Sequence, residues 1–154
     1  MLKEGTEAPA FEATMSGGET FRLSAYQGRK NVVLYFYPKD FTPGCTREAC
    51  AFRDNYDELS NYDALIVGVS TDSEESHDRF RERHELPFPL IPDPEKRLVK
   101  LYEAEGLLGF MTARVTYVID KEGTIRRTIR HDLNVGAHLP EVIGALQSIQ
   151  AAPA

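Results

Sequence analysis

Along the chain, short apolar runs alternate with segments in which apolar residues recur every three or four positions. Residues 31–37 (Asn-Val-Val-Leu-Tyr-Phe-Tyr) and 64–70 (Ala-Leu-Ile-Val-Gly-Val-Ser) are nearly unbroken apolar runs. Such runs, rich in β-branched and aromatic side chains, predict strands buried on both faces. Between them, Ala49, Phe52, Tyr56 and Leu59 mark one face of a helix predicted over 43–61. Residues 74–84 read as a largely polar, exposed helix, 87–94 as a stretch holding a short extended piece, and 95–102 as a short helix. Residues 11–14 and 19–23 form a predicted hairpin around Ser16-Gly17-Gly18, and 114–120 and 124–130 a second around Lys121-Glu122-Gly123. Leu139, Val142, Ile143, Leu146 and Ile149 line one face of a final helix over 138–149, with Pro140 in its first turn. A strand–helix–strand unit followed by a hairpin and a closing helix predicts an α/β fold, a central mixed β-sheet flanked by helices, with an N-terminal β-hairpin.

With 154 residues, no internal repeat and no linker composition, the chain reads as one domain over 1–150 with a flexible tail at 151–154. A composition of 42% apolar and 27% charged residues excludes wholesale disorder. The balance of 18 basic against 24 acidic residues, a net charge of −6, argues against nucleic acid or an anionic membrane as partner. The longest apolar run, 32–37, is far too short to cross a bilayer, and the first residues resemble neither a secretory signal nor a transit peptide. The expectation is a cytoplasmic protein. Two cysteines are too few for a disulfide scaffold, and in a reducing compartment a disulfide between them is expected to be transient and catalytic. His77, His84, His131 and His138 are dispersed and are expected to take surface or capping roles. Arg126, Arg127, Arg130 and His131 read as an exposed face rather than an anion site. Leu107, Leu108, Phe110 and Met111 read as core packing in preference to a docking patch.

The chemistry is concentrated in residues 35–50. Thr42 stands where an N-cap is expected and Pro43 suits the first helical position, which puts Cys45 at the third. Free N–H groups and the positive end of the helix dipole stabilise a thiolate there and raise its reactivity. Cys45 also continues the stripe of Ala49, Phe52, Tyr56 and Leu59, so its sulfur is expected to face the domain. On its own it reads equally as a small buried hydrophobe; the Thr-Pro-Gly lead-in shifts the balance toward chemistry. Cys50 lies five helical residues on, at a Cα separation of ~8.7 Å, from a rise of ~7.5 Å and a rotation of ~140°. A disulfide usually needs less than about 7 Å, so the two thiols can join only if the first helical turns unwind. The alternative for Cys50 is a helix residue without a redox role. Cys-x4-Cys is an unusual half-site for zinc, and a thioredoxin-type dithiol has two intervening residues rather than four.

The string Tyr35-Phe36-Tyr37-Pro38-Lys39-Asp40-Phe41-Thr42-Pro43-Gly44-Cys45-Thr46 resembles the active-site signature of the peroxiredoxins, in their bacterioferritin comigratory protein or peroxiredoxin Q branch. The resemblance is collinear over nearly the whole chain, from Gly5-x-x-Ala8-Pro9-x-Phe11 through Leu86-Pro87-Phe88-Pro89-Leu90 to Val118-Ile119-Asp120-x-x-Gly123. It implies a thioredoxin-like fold and a thiol peroxidase acting on hydrogen peroxide and organic hydroperoxides. Cys45 then corresponds to the peroxidatic cysteine, Cys50 to the resolving one and Arg114 to the active-site arginine, whose alternative is a surface arginine flanking a strand. The implied chemistry suits these residue types. Arg114 offers a permanently charged donor fork, Thr42 a hydroxyl, and Gly44 and Cys45 backbone N–H groups at the helix start. Gly44 is expected to leave room for substrate, and Pro38 to supply shape and exclude water. Glu48 is expected to hold Arg114 in place, or else to complement the helix dipole. Cys45 sulfenic acid would condense with Cys50, and thioredoxin or a similar dithiol would reset the disulfide. No metal or organic cofactor is called for, and a monomer is expected. A peroxide sensor or redox chaperone switching through the same disulfide is the rival reading. Segment 102–111 is compact and has no Trp, unlike many members of the branch, which bears on substrate preference and reductant docking.

Overall fold

The computed structural model describes residues 1–106, 109 and 111–151. Five strands form one sheet in the order β5-β4-β3-β6-β7: β3 (Asn31–Phe36), β4 (Ala64–Ser70), β5 (Leu90–Pro92), β6 (Val115–Ile119) and β7 (Ile125–Arg130). The strands β3, β4 and β5 run parallel, while β6 is antiparallel to β3 and β7 to β6. The expected mixed sheet is therefore present. A separate two-stranded hairpin joins β1 (Glu12–Thr14) and β2 (Thr20–Arg22).

The alternation of side chains along β3 explains its unbroken apolar run. Val32, Leu34 and Phe36 point to one face, where Phe11 and Phe21 of the N-terminal segment and Leu98 and Val99 of α4 (Arg97–Leu101) cover them. Val33, Tyr35 and Tyr37 point to the other. There they meet Cys45, Ala49 and Phe52 of α1 (Pro43–Asp54), Leu59 of α2 (Tyr56–Ser60), Phe80 of α3 (Glu74–His84), and Val142 and Leu146 of α5 (His138–Ala151). With both faces covered, no polar side is left for water, so a strand pattern without alternation is the correct signature.

Four expectations need correction. The helix expected over 43–61 is broken at Asn55 (φ −111°, ψ 15°), whose side-chain amide donates to the Ala51 carbonyl at 2.8 Å. A side chain bonding the backbone in this way competes with helix continuation. The apolar stripe persists across the break because both pieces pack on the same sheet face. The α3 helix is mostly exposed but buries His77 and Phe80. Met111, expected in the core, is largely exposed, whereas Leu107, Leu108 and Phe110 lie outside the described residues. Of the expected tail, Ala151 completes α5 and residues 152–154 likewise lie outside.

Gly68 sits mid-strand in β4, opposite Tyr35. A Cβ there would lie 2.7 Å from Leu90 Cδ2 and 2.9 Å from Tyr35 Cζ. Gly68→Ala is expected to destabilise the fold by about 1–3 kcal/mol through overpacking against a rigid ring, measured as a lowered urea midpoint with an unchanged m-value.

Candidate active site

The site is built where β3 hands the chain to α1. Tyr37 still donates its N–H to the Val69 carbonyl at 3.1 Å, and half-buried Pro38 then ends the strand. Asp40, the next buried residue, fixes the turn. Its carboxylate accepts from Tyr37 Oη at 2.6 Å and Ser76 Oγ at 2.8 Å and lies 2.7 Å from His77 Nδ1. Its own N–H donates to Asp72 at 2.8 Å. Phe41 follows with φ +64°, a left-handed conformation unusual for an aromatic residue. Thr42 (φ −80°, ψ 151°) is the N-cap, Pro43 opens the helix and Cys45 occupies its third position, as the sequence predicts.

The Thr42 hydroxyl donates to the Lys39 carbonyl at 2.8 Å instead of capping the helix. The first N–H groups of α1 are thereby spared a side-chain acceptor and face the region of the thiol. With its proton engaged, what Thr42 Oγ1 can still offer an incoming hydroxyl is its lone pairs. Cys45 is 1% exposed and packs with Val33, Tyr35 and Tyr37, while Cys50 is half-buried; both are free thiols. One uninterrupted helix carries them, so the intact fold keeps them apart.

Arg114, the residue before β6, is 9% exposed and reaches the start of α1. Its backbone N–H donates to Asp132 at 2.9 Å. A Cβ on Gly44 would lie 2.7 Å from Arg114 Nη2 and 3.3 Å from Cζ. The space expected for substrate at Gly44 is thus taken by the guanidinium, and it is the arginine's approach that requires glycine. Glu48, buried one turn beyond Cys45, places Oε1 3.8 Å from Arg114 Nη1 and Oε2 3.6 Å from His138 Nδ1. Both separations exceed hydrogen-bond length, and neither Glu48 oxygen has a hydrogen-bond partner. Burial pushes the Glu48 carboxyl up to about 8, against the opposing pull of Arg114. At neutral pH Glu48 is therefore mostly uncharged and puts little negative charge beside Cys45. The expected Glu48–Arg114 proximity is present, as a charge beside a protonated acid rather than a close ion pair.

Pro38, Arg114, Met111 and Leu133 are among the residues lining a 370 Å³ cavity beside the arginine, and Leu133 is 98% exposed at its rim. The expected surface and capping roles fail for two histidines. His138 is fully buried, 2.9 Å from Thr116 Oγ1, and its Nε2 meets the His131 carbonyl at 3.1 Å. His77 is fully buried against Asp40. Helical spacing held the signal: His138 lines up with Val142 and Leu146, and His77 with Phe80. The Tyr35 hydroxyl was missed as well. It is buried without a partner, and its ionisation is opposed first by burial and then by the nearby Glu48 and Cys45. The basic run behaves as expected, with Arg126, Arg127 and Arg130 paired to Asp120, Glu141 and Asp132. Among the described residues, Asp40, Asp72 and His77 form a cluster of metal-ligand type, with ligand atoms within 4.8 Å of one another. Those groups already bond one another and Tyr37, Ser70 and Ser76, which makes the cluster a structural latch.

A buried thiol in the first turn of a helix, on the sheet face of an α/β fold and beside a buried arginine, defines a thiol-based redox enzyme. The AhpC/TSA family pattern matches residues 5–128. Peroxiredoxin Bcp of Bacillus subtilis (strain 168) is 42% identical over 156 residues, covering 96% of this chain and 97% of the relative. The chloroplastic peroxiredoxin Q of Suaeda salsa is 37% identical over 149 residues, covering 96% of this chain and 69% of the relative. Among solved structures, peroxidoxin BcpB from Mycobacterium tuberculosis superposes with a TM-score of 0.89 at 34% identity, over 97% of this chain and 99% of that one. Peroxiredoxin Q of Xanthomonas campestris gives 0.82 at 33% identity, over 90% of each chain. The chain belongs to the AhpC/TSA family, in its Bcp and peroxiredoxin Q branch, and is a thiol peroxidase with the thioredoxin-like fold of that branch. No helix among the described residues is long and apolar enough to cross a membrane.

Two outcomes follow from this geometry. Gly44→Ala is expected to push the guanidinium aside and slow peroxide reduction at least tenfold, read as kcat/KM with fold content checked by circular dichroism. Glu48 holds its proton more tightly folded than unfolded, so between pH 4.5 and 8 unfolding releases that proton and stability falls as pH rises. Glu48→Gln is expected to remove that slope of up to about 1.4 kcal/mol per pH unit, measured by urea unfolding at pH 5, 6.5 and 8.

Proposed function

We propose that Cys45 is the peroxidatic cysteine and Cys50 the resolving one, and that the resulting disulfide is returned to two thiols by thioredoxin or a similar dithiol. The observation that carries this reading is Cys45 in the first turn of α1 with Arg114 packed onto Gly44 beside it. The Cys45 thiolate attacks the nearer peroxide oxygen and the O–O bond breaks. The departing oxygen takes a proton and leaves as water or alcohol, while Cys45 becomes a sulfenic acid. Arg114 and the free N–H groups at the helix start stabilise the charge that develops on the oxygens, with little reorganisation because all are held in place. Thr42 Oγ1 accepts from the peroxide hydroxyl and orients it. Pro38 shields the thiol from water, and the partly apolar cavity beside Arg114 suits hydrogen peroxide and small organic hydroperoxides alike. Glu48 packs beside Arg114 without placing a full negative charge near the thiolate.

Resolution needs a second conformation, since one intact helix separates the two sulfurs. The strained φ of Phe41, immediately before α1, and the lack of a side-chain cap at Thr42 support a helix whose first turns are able to unwind. Cys50 then condenses with the sulfenic acid, and an external dithiol exchanges with the product.

The decisive measurement is intact mass and free-thiol count after reduced protein meets one equivalent of hydrogen peroxide. Loss of both thiols with a mass decrease of two hydrogens is expected. Cys45→Ser is expected to abolish peroxide consumption, and Cys50→Ser to stop after one oxygen is added. Normal recycling of Cys50→Ser with thioredoxin would overturn the resolving role. Disulfide formation in the unaltered protein without repeated turnover would favour the peroxide sensor or redox chaperone.

A further inference from the structure

We infer that His84 is a catalytic residue of the resolving half-reaction, the general base that takes the proton from Cys50. The inference rests on the proposed resolving role of Cys50. His84 ends α3, and its Nδ1 lies 3.9 Å from Cys50 Sγ, within contact range for a sulfur donor. Nothing else in the peroxidase chemistry described above uses this histidine. Its ring packs on Phe80 at 5.1 Å between centroids and faces Phe41 at 6.5 Å. These two ring contacts pack the half-buried imidazole beside the cysteine.

Its surroundings favour the neutral imidazole. Burial lowers the proton affinity of His84, and Arg83 on its own helix and Arg53 on α1 lower it further. A neutral imidazole with its proton on Nε2 presents Nδ1 as an acceptor. Glu85, at the C-cap of α3, is close enough to Arg53 to favour its charged form.

Anchoring also decides which thiol travels. Arg53 Nη1 donates to the His84 backbone carbonyl at 2.7 Å and ties the C-terminal half of α1 to the end of α3. When the first turns of α1 unwind, Cys50 stays beside its base and Cys45 moves to it. His84 Nδ1 accepts the Cys50 proton, and the thiolate attacks the Cys45 sulfur of the sulfenic acid. The S–S bond forms as the S–O bond breaks, and the departing hydroxide takes the imidazolium proton to leave as water. The Cys50 sulfur is oxidised and the Cys45 sulfur reduced, so no further oxidant is required.

The test uses the full chain in two backgrounds. In Cys45→Ser, Cys50 is the only thiol, and its alkylation by iodoacetamide is timed from pH 5 to 9. Adding His84→Gln is expected to slow alkylation about tenfold at pH 7 and to lose the effect at pH 9, where hydroxide deprotonates the thiol unaided. With both cysteines present, His84→Gln is expected to slow disulfide formation from the sulfenic acid by a similar factor. In His84→Ala, added imidazole is expected to restore much of the rate, which a packing role would not allow. Arg53 bonds the backbone carbonyl, so the anchor survives both substitutions. Equal alkylation profiles with and without His84 overturn the inference whatever Cys50 does in turnover. Wild-type recycling by Cys50→Ser overturns instead the resolving role on which the inference rests.

Discussion

The carboxylate of Asp40 is buried at the point where the central strand gives way to the reactive helix. It is held by Tyr37 from the strand and by Ser76 and His77 from α3, while its backbone N–H is held by Asp72. A polar group removed from water is tolerated only when its hydrogen-bonding capacity is met, so the carboxylate needs Tyr37, Ser76 and His77, and the backbone N–H needs Asp72. Meeting that condition fixes the turn over 38–42, and with it the direction in which α1 leaves the sheet. The position of Cys45 over β3, the approach of Arg114 to Gly44 and the contact of Cys50 with His84 all depend on that direction.

A second constraint is electrostatic. Three groups of different charge behaviour meet at Glu48 in the first turns of α1: the Arg114 guanidinium; Glu48 itself, whose burial favours its neutral form; and His138, whose burial also favours neutrality. One positive charge then stands at the start of α1 with little negative charge opposing it. The same burial that costs stability as pH rises maintains this balance near neutrality. The tight approach at Gly44 makes it geometric as well, because any side chain there would displace the guanidinium.

The reactive helix is held unevenly. Its beginning follows a strained residue and carries no side-chain cap, whereas its end is tied to α3 through Arg53 and the His84 carbonyl. Local opening draws on segments of low stability, and here the weaker half carries Cys45 and the anchored half Cys50. A helix built this way has a preferred end from which to unwind.

The amino-acid sequence by itself determined the strand and helix order, the buried sheet and the place of Cys45 in its helix. These depend on local periodicity, on the Thr-Pro lead-in and on a collinear family resemblance. Neighbouring positions in the chain carry all of that information. Only the tertiary structure decided which distant groups meet. His138 comes from the last helix to Glu48, and Arg114 from a strand about 70 residues on fills the space at Gly44. His77 closes on Asp40, and His84 on Cys50. Histidines scattered along a sequence look alike until packing desolvates some and pairs others, since burial and contact are properties of the fold and not of spacing. The break at Asn55 was hidden for a related reason: the apolar stripe reports which face is covered, and one sheet face covers both helical pieces.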